Sequence, residues 1–267
     1  MNRLRLDQLL VERGLADTRS RAQALVLAGK VRVGDGDAAR ADRKPGDLVD
    51  PATSVEVEAP EPYVSRGGYK LAHALDAFAI DPAGRICLDV GASTGGFTDV
   101  LLQRGATRVY ALDVGRGQLA ERLRRDPRVV PMERTNARTL GDRSLPQSVS
   151  LATIDVSFIS LGLVLGPVAA TLGHDRPADI VPLVKPQFEA GREHVPKGVV
   201  RDPAVHLEVL QRAVGQAARA GLRVLDATAS PITGPEGNRE FLLHLRAGDR
   251  ATARADLDER LRAVVAG

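Results

Sequence analysis

RICLDVGASTGGF, residues 85–97, decides the fold. Its first half is a short apolar run, RICLDV, which predicts a buried strand ending near Asp89. A glycine turn follows, with Gly91, Gly95 and Gly96, and then a helical pattern over 97–104. Strand, tight glycine turn and helix is the arrangement by which a backbone comes close to a nucleotide. Gly91 and Gly95 supply the turn and the close approach, and Gly96 lets the helix start against the strand. A second strand, 108–112, runs into Asp113, which stands where a carboxylate can accept the two ribose hydroxyls of a bound nucleoside. The spacing is D-x-G-x-S-x-G-G rather than G-x-G-x-x-G, and nothing nearby demands a pyrophosphate. It favours S-adenosylmethionine over a dinucleotide, with Asp89, Gly91, Gly95, Gly96 and Asp113 as candidate cofactor residues.

Outward from this stretch, apolar runs alternate with amphipathic segments. Further strands are expected near 128–131, 150–155, 179–184, 222–227 and 240–245, with helices between them, notably over 206–220. Only the final link has no room for a helix, which predicts an antiparallel hairpin. The expected fold is α/β, a Rossmann-like sheet that is parallel except for its last strand. A C-terminal amphipathic helix is expected over 254–265. Cys87 is the one cysteine, so the chain carries no internal disulfide and no cysteine-based zinc site; it reads as a core residue. The five histidines show no metal spacing, and no metal is expected. No apolar run is long enough to span a membrane, and MNRLRLDQLL lacks a signal-peptide core, so we expect a cytoplasmic protein and a monomer.

Charge is distributed unusually. Lysine occurs only at 30, 44, 70, 185 and 197, and every other basic residue but histidine is arginine. An ammonium is a compact, adjustable charge that arginine cannot replace. Asp155 ends the fourth strand, Lys185 ends the fifth, and Glu240 begins the last. If that strand is antiparallel, its start lies at the same edge as the ends of its neighbours, where ligands of such sheets bind. Lys70, opening a helix ahead of the first strand, can reach the same rim. A hydroxyl is a poor nucleophile; a lysine beside it can take its proton or stabilise developing alkoxide charge, and two acids can orient the lysines. Spacing alone leaves open a buried ion-pair network without chemistry.

Residues 1–60 form a separate small domain of two helices and short strands, joined to the domain at 65–267 through a linker at 61–64. The first helix ends at Gly14, and Asp17 or Thr18 caps the second, which ends at Gly29. Seven cations against three acids fall within the first 34 residues. Arg3, Arg5, Arg19, Arg21 and Lys30, together with Arg66 beyond the linker, are candidate RNA contacts, although charge by itself fits a solvated face equally well. With three Tyr, five Phe and no Trp, stacking on bases is not expected to be the main grip, and Tyr63 in the joint is the aromatic singled out.

RLD, GLA, Ser20-Arg21 to Ala24, and Gly29-Lys30-Val31-Arg32-Val33 resemble, in order, the S4-type RNA-binding domain. Lys70, Asp155, Lys185 and Glu240 resemble in order and context the Lys-Asp-Lys-Glu tetrad of FtsJ-like ribose 2′-O-methyltransferases, and GASTGGF resembles their cofactor loop. SRGGYKL, DVGRGQLA, ERTNAR, DVSFISL, PLVKPQFE and GPEGNREFLL are similar to the TlyA family over nearly the whole chain. The resemblance implies an S-adenosylmethionine-dependent methyltransferase of cytidine in ribosomal RNA, 23S with 16S as a second candidate, working on ribosomal subunits. It implies that Lys185 is the central catalytic residue, that Asn136 lies near the adenine, and that Ser93 and Phe97 line the cofactor loop. The competing readings are a non-catalytic rRNA-binding assembly factor and a hemolysin. A pore former needs an amphipathic or apolar membrane segment, which the sequence does not offer.

Overall fold

Short apolar runs pair into sheets only where helices can cover them, and the chain meets that condition twice, in two compact units, Met1–Pro62 and Tyr63–Gly267. The computed structural model describes residues 3–59, 61–173, 177–247 and 256–267. His174 and the first two positions of the expected C-terminal helix, 254 and 255, lie outside the described residues.

The first unit contains β1 (Leu4–Arg5), α1 (Leu6–Glu12), α2 (Arg19–Leu27), β2 (Val31–Val33), β3 (Leu48–Val49) and β4 (Val55–Val57). Leu6, Leu9 and Leu10 of α1 pack with Ala22 and Val26 of α2 over Val31, Val33 and Val49. Thr18 is the cap of α2, its hydroxyl accepting from the Arg21 N–H. β2 pairs antiparallel with β4, and β1 with β3. The two-residue strands β1 and β3 were not expected, being too short to show alternation. Asp7 is fully buried and accepts from Arg5, Arg19 and Gln23. The Arg5 guanidinium, against the opposing effect of burial, holds its carboxyl well below the usual range.

The second unit is a three-layer α/β/α sandwich. In chain order it contains α3 (Gly67–Ala77), β5 (Ile86–Val90), α4 (Gly96–Gln103), β6 (Arg108–Leu112), α5 (Glu121–Arg124), β7 (Val129–Met132), β8 (Leu151–Ile154), α6 (Gly162–Ala169), β9 (Ala178–Val184), α7 (Pro186–Glu189), α8 (Pro203–Arg219), β10 (Leu222–Ala229), β11 (Phe241–Ala247) and α9 (Leu257–Ala266). The seven strands run β10-β11-β9-β8-β5-β6-β7. β11 is antiparallel to both β9 and β10, as the missing helix in the last link implies, and the other pairings are parallel. Residues of α3, α4 and α5 cover one face, and those of α6, α8 and α9 the other. Cys87 sits in the first of these cores. α8 starts three residues before the expected position because Asp202 caps it and Pro203 occupies its first turn. The β7–β8 connection corrects a second expectation: it carries no α-helix, only a single turn at Ala137–Thr139.

At the edge where β9 begins, Asp179 is buried and accepts from Arg85, His244 and Arg246. Burial would raise its pKa, but these donors outweigh it and keep the carboxylate well below the usual range. Asp179 lies directly opposite Arg246 in the β9–β11 pairing, so the cluster clamps the antiparallel strand in register. Asp179→Ala, which leaves three donors facing an uncompensated site, is expected to lower unfolding stability by about 3–5 kcal/mol in urea titration; a loss below about 1 kcal/mol would show that the cluster does not hold the strand.

Candidate active site

The rim opposite that clamp is where the strand ends converge. β5 has β6 on one side and β8 on the other, so the loops after β5 and β8 part and leave a crevice at the point where strand order reverses. Val90 pairs with Leu112 and with Ile154, which brings Gly91, Asp113 and Asp155 to one edge. Val184 lies opposite Phe241, so Lys185 and Glu240, the next residue on each side, are neighbours there as well. Gly91, at φ 83°, is required: a Cβ on it would fall 2.2 Å from the Asp155 carbonyl oxygen.

Two lysine–carboxylate pairs stand at this rim. Lys185 Nζ lies 2.5 Å from Asp155 Oδ1 and donates to Ser157 Oγ at 2.8 Å. Lys70, buried in α3, donates to Glu240 Oε2, while Glu240 Oε1 is buried with no hydrogen-bond partner among the described residues. Gly234 makes space beside that oxygen, since a Cβ there would come within 2.3 Å of it. An ion pair with one oxygen left unsatisfied is an expensive arrangement.

Beside the pairs lies a pocket of about 470 Å³, within the size range of small-molecule sites, walled by Gly91, Ser93, Asp113, Asn136 and the segment 155–159. Asp113 Oδ2 accepts from the Ser93 N–H and Oδ1 from the Gly115 N–H, each oxygen retaining a further lone pair. Asn136 Oδ1 accepts from the Arg138 N–H. Val90, Leu112, Val114 and Ile159 give the pocket apolar walls suited to a purine, so the residues present fit a nucleoside cofactor.

Other expected positions sit elsewhere. Asp89 does not face the pocket: it is fully buried, accepts from Thr98 Oγ1 at 2.7 Å and from Thr153 Oγ1 at 3.0 Å, and ties α4 to β8. β5 extends to Val90, so Asp89 lies inside the sheet, in register with Thr153. Gly95 faces Leu119 and Leu123, Gly96 faces Ser65 and Gly68, and Phe97 is buried in the core under α3; these three seat the helix rather than line the pocket. In the first unit Arg5 and Arg19 are engaged with Asp7, although both guanidinium groups keep substantial exposure. Lys30 pairs with Glu58, while Arg3 and Arg21, and Arg66 in the second unit, are exposed. Tyr63 packs edge-on against Tyr69 at 5.5 Å. Sequence reasoning missed Phe158, which is 89% exposed, has φ 63°, and meets Phe188 with ring centroids 4.8 Å apart. It also missed Glu189, and set Ser157 aside because it sits in no nucleophile-elbow pattern; their only signal was proximity to Lys185 and Asp155 in the chain.

Burial pushes the Asp89 carboxyl up to about 6, with Thr98 and Thr153 opposing the shift and the charge of Asp155 adding to it. The unfolded value is near 3.9, so the folded state holds this proton more tightly. The resulting stability is complete below about pH 4 and is lost as pH rises through about 6, a swing of about 3 kcal/mol. Asp89→Asn is expected to remove that pH dependence and to unfold at a higher urea concentration than the parent near pH 8. A lower midpoint for the variant at that pH would contradict this account of Asp89.

Comparison with known proteins agrees with this geometry. The family model for FtsJ-like methyltransferases matches residues 63–247, and the S4 domain model matches residues 4–36. The chain is 49% identical to the 16S/23S rRNA (cytidine-2′-O)-methyltransferase TlyA of Mycobacterium tuberculosis, over 96% of this chain and 95% of that protein. It is 40% identical to Hemolysin A of Brachyspira hyodysenteriae, over 90% of this chain and 99% of that one. A solved structure of a hemolysin-named protein from Streptococcus thermophilus is 43% identical, with a TM-score of 0.74, covering 100% of this chain and 95% of the other. With matches of this similarity over nearly its whole length, the chain belongs to the TlyA family of FtsJ-like methyltransferases and carries an S4 domain at its N-terminus.

Proposed function

We propose that the protein transfers a methyl group from S-adenosylmethionine to the ribose 2′-hydroxyl of cytidine in ribosomal RNA, in 23S and, as a second substrate, 16S. The observation that carries this reading is the pair of lysine–carboxylate contacts, Lys185–Asp155 and Lys70–Glu240, at one rim beside the pocket. The relative from Mycobacterium tuberculosis, whose name states that reaction, supports the substrate. The S4 domain supports RNA as the partner, with Arg3, Arg5, Arg19, Arg21, Lys30 and Arg66 as phosphate contacts. Ribosomal RNA places the protein in the cytoplasm. We read it as acting as a monomer without a metal.

Bound S-adenosylmethionine supplies a methyl group already activated by its sulfonium charge. Asp113 would take the ribose hydroxyls of the cofactor and Asn136 would border its adenine, with Gly91 and Ser93 lining the same pocket. Lys185 holds the substrate 2′-oxygen and stabilises the negative charge that develops on it as its proton passes to solvent water. Asp155 orients Lys185, and Glu240 orients Lys70 while its free oxygen accepts from the nucleoside. Holding these groups in place converts a weak nucleophile into a well-directed one. The hemolysin names of some relatives raise a second reading, and among the described residues no helix is long and apolar enough to cross a membrane.

The direct test incubates the protein with labelled S-adenosylmethionine and each ribosomal subunit, then maps the modified nucleotide. The expected product is a 2′-O-methylcytidine; absence of label, or label on a base, would overturn the proposal. Lys185→Ala is expected to cut transfer ~100-fold or more while its cofactor affinity is kept. Calorimetry on Asp113→Ala is expected to find S-adenosylmethionine binding weakened about 10- to 100-fold, the loss of a hydrogen-bonded carboxylate; unchanged affinity would remove Asp113 from the site.

A further inference from the structure

We propose that Ser157 is a positioning residue that aims the Lys185 ammonium at the substrate hydroxyl; this rests on the reading of the rim as the methyl-transfer site. A lysine side chain is long and freely rotating, and its ammonium offers three equivalent N–H groups. One contact, the ion pair with Asp155 Oδ1 at 2.5 Å, holds the nitrogen by charge without hydrogen-bond geometry and leaves it free to turn. A second, Ser157 Oγ at 2.8 Å, removes that freedom. The hydrogen bond fixes one N–H direction and the ion pair restricts the turn about it, which narrows where the remaining N–H groups point.

Ser157 is itself held in place. The next residue, Phe158, adopts φ 63°, a costly conformation for a bulky side chain that persists only where the surroundings impose it. Glu189 anchors the chain just beyond it: its carboxylate accepts from Ser160 Oγ at 2.9 Å and from the Leu161 N–H. Gln216 of α8 donates to the same Ser160 hydroxyl at 3.1 Å. Glu189 ends α7, the short helix that starts at the residue after Lys185. The segment bearing the lysine therefore grips the segment bearing the serine, and the lysine, its acid and its serine are set by one connected network.

Ser157 is exposed, so if it only satisfied a donor, water would replace it without consequence. The test compares the full-length protein with Ser157→Ala and Ser157→Thr, measuring kcat and KM for methyl transfer to ribosomal subunits. In parallel, the rate of Lys185 reductive methylation by formaldehyde and borohydride is followed by mass spectrometry in cofactor-free protein. Ser157→Ala is expected to lower kcat about 10- to 100-fold, the effect of one hydrogen bond to a charged group, with both KM values within about twofold of wild type. Ser157→Thr, which keeps the hydroxyl, is expected to restore most of kcat. Lys185 in Ser157→Ala is expected to react faster with the reagent. Unchanged kcat and unchanged Lys185 reactivity overturn the inference, as does a raised KM for RNA with kcat intact, which would make Ser157 a binding residue. If wild type transfers no methyl while Ser157→Ala still exposes Lys185, the reading of the rim fails and the contact stands.

Discussion

The structure depends on one constraint: β11 is inserted antiparallel between β9 and β10. In a wholly parallel sheet, the start of a strand lies at the edge away from the ligand crevice. Reversing β11 brings its first residues to the crevice, so Glu240 comes beside Lys185 and meets Lys70 from α3. The short link between β10 and β11, with no room for a helix, is what enforces the reversal.

The antiparallel strand divides its charged groups between two edges. At one, Arg246, His244 and Arg85 meet buried Asp179, each of whose oxygens has a donor, and hold the register. At the other, Glu240 is equally buried but has one oxygen without a partner among the described residues. Both are buried carboxylates beside cations, and satisfaction of the acceptors is what separates them. A saturated cluster rigidifies, whereas an unsaturated one carries a cost that a substrate can relieve. Burial separates Asp89, enclosed in the sheet with two threonine hydroxyls, from Asp113, which borders the pocket.

Much of this was legible in the sequence because the fold is written in apolar runs and their spacing. The ends of β8 and β9 and the start of β11 can be located from TIDVSF, PLVKPQFE and GNREFLL, and topology then puts Asp155, Lys185 and Glu240 on one edge. Side-chain direction was less legible. Asp89 reads as a strand-end residue, but β5 continues for one residue more, and one position in a strand exchanges its faces. Arg5 and Arg19 read as free cations because the sequence does not reveal that Asp7, on the buried side of α1, gathers them. Phe158 and Glu189 escaped notice because their roles arise from a left-handed backbone and from contacts between loops far apart in the chain.

The central claim, that the two lysine–carboxylate pairs surround the methyl group to be transferred, is tested most directly by a crystal structure of the protein with bound S-adenosylmethionine. The account expects the adenosine between Asp113 and Asn136, with the sulfonium methyl directed at the space between Lys185 and Glu240. A cofactor seated elsewhere, or one whose methyl faces away from both lysines, would contradict it.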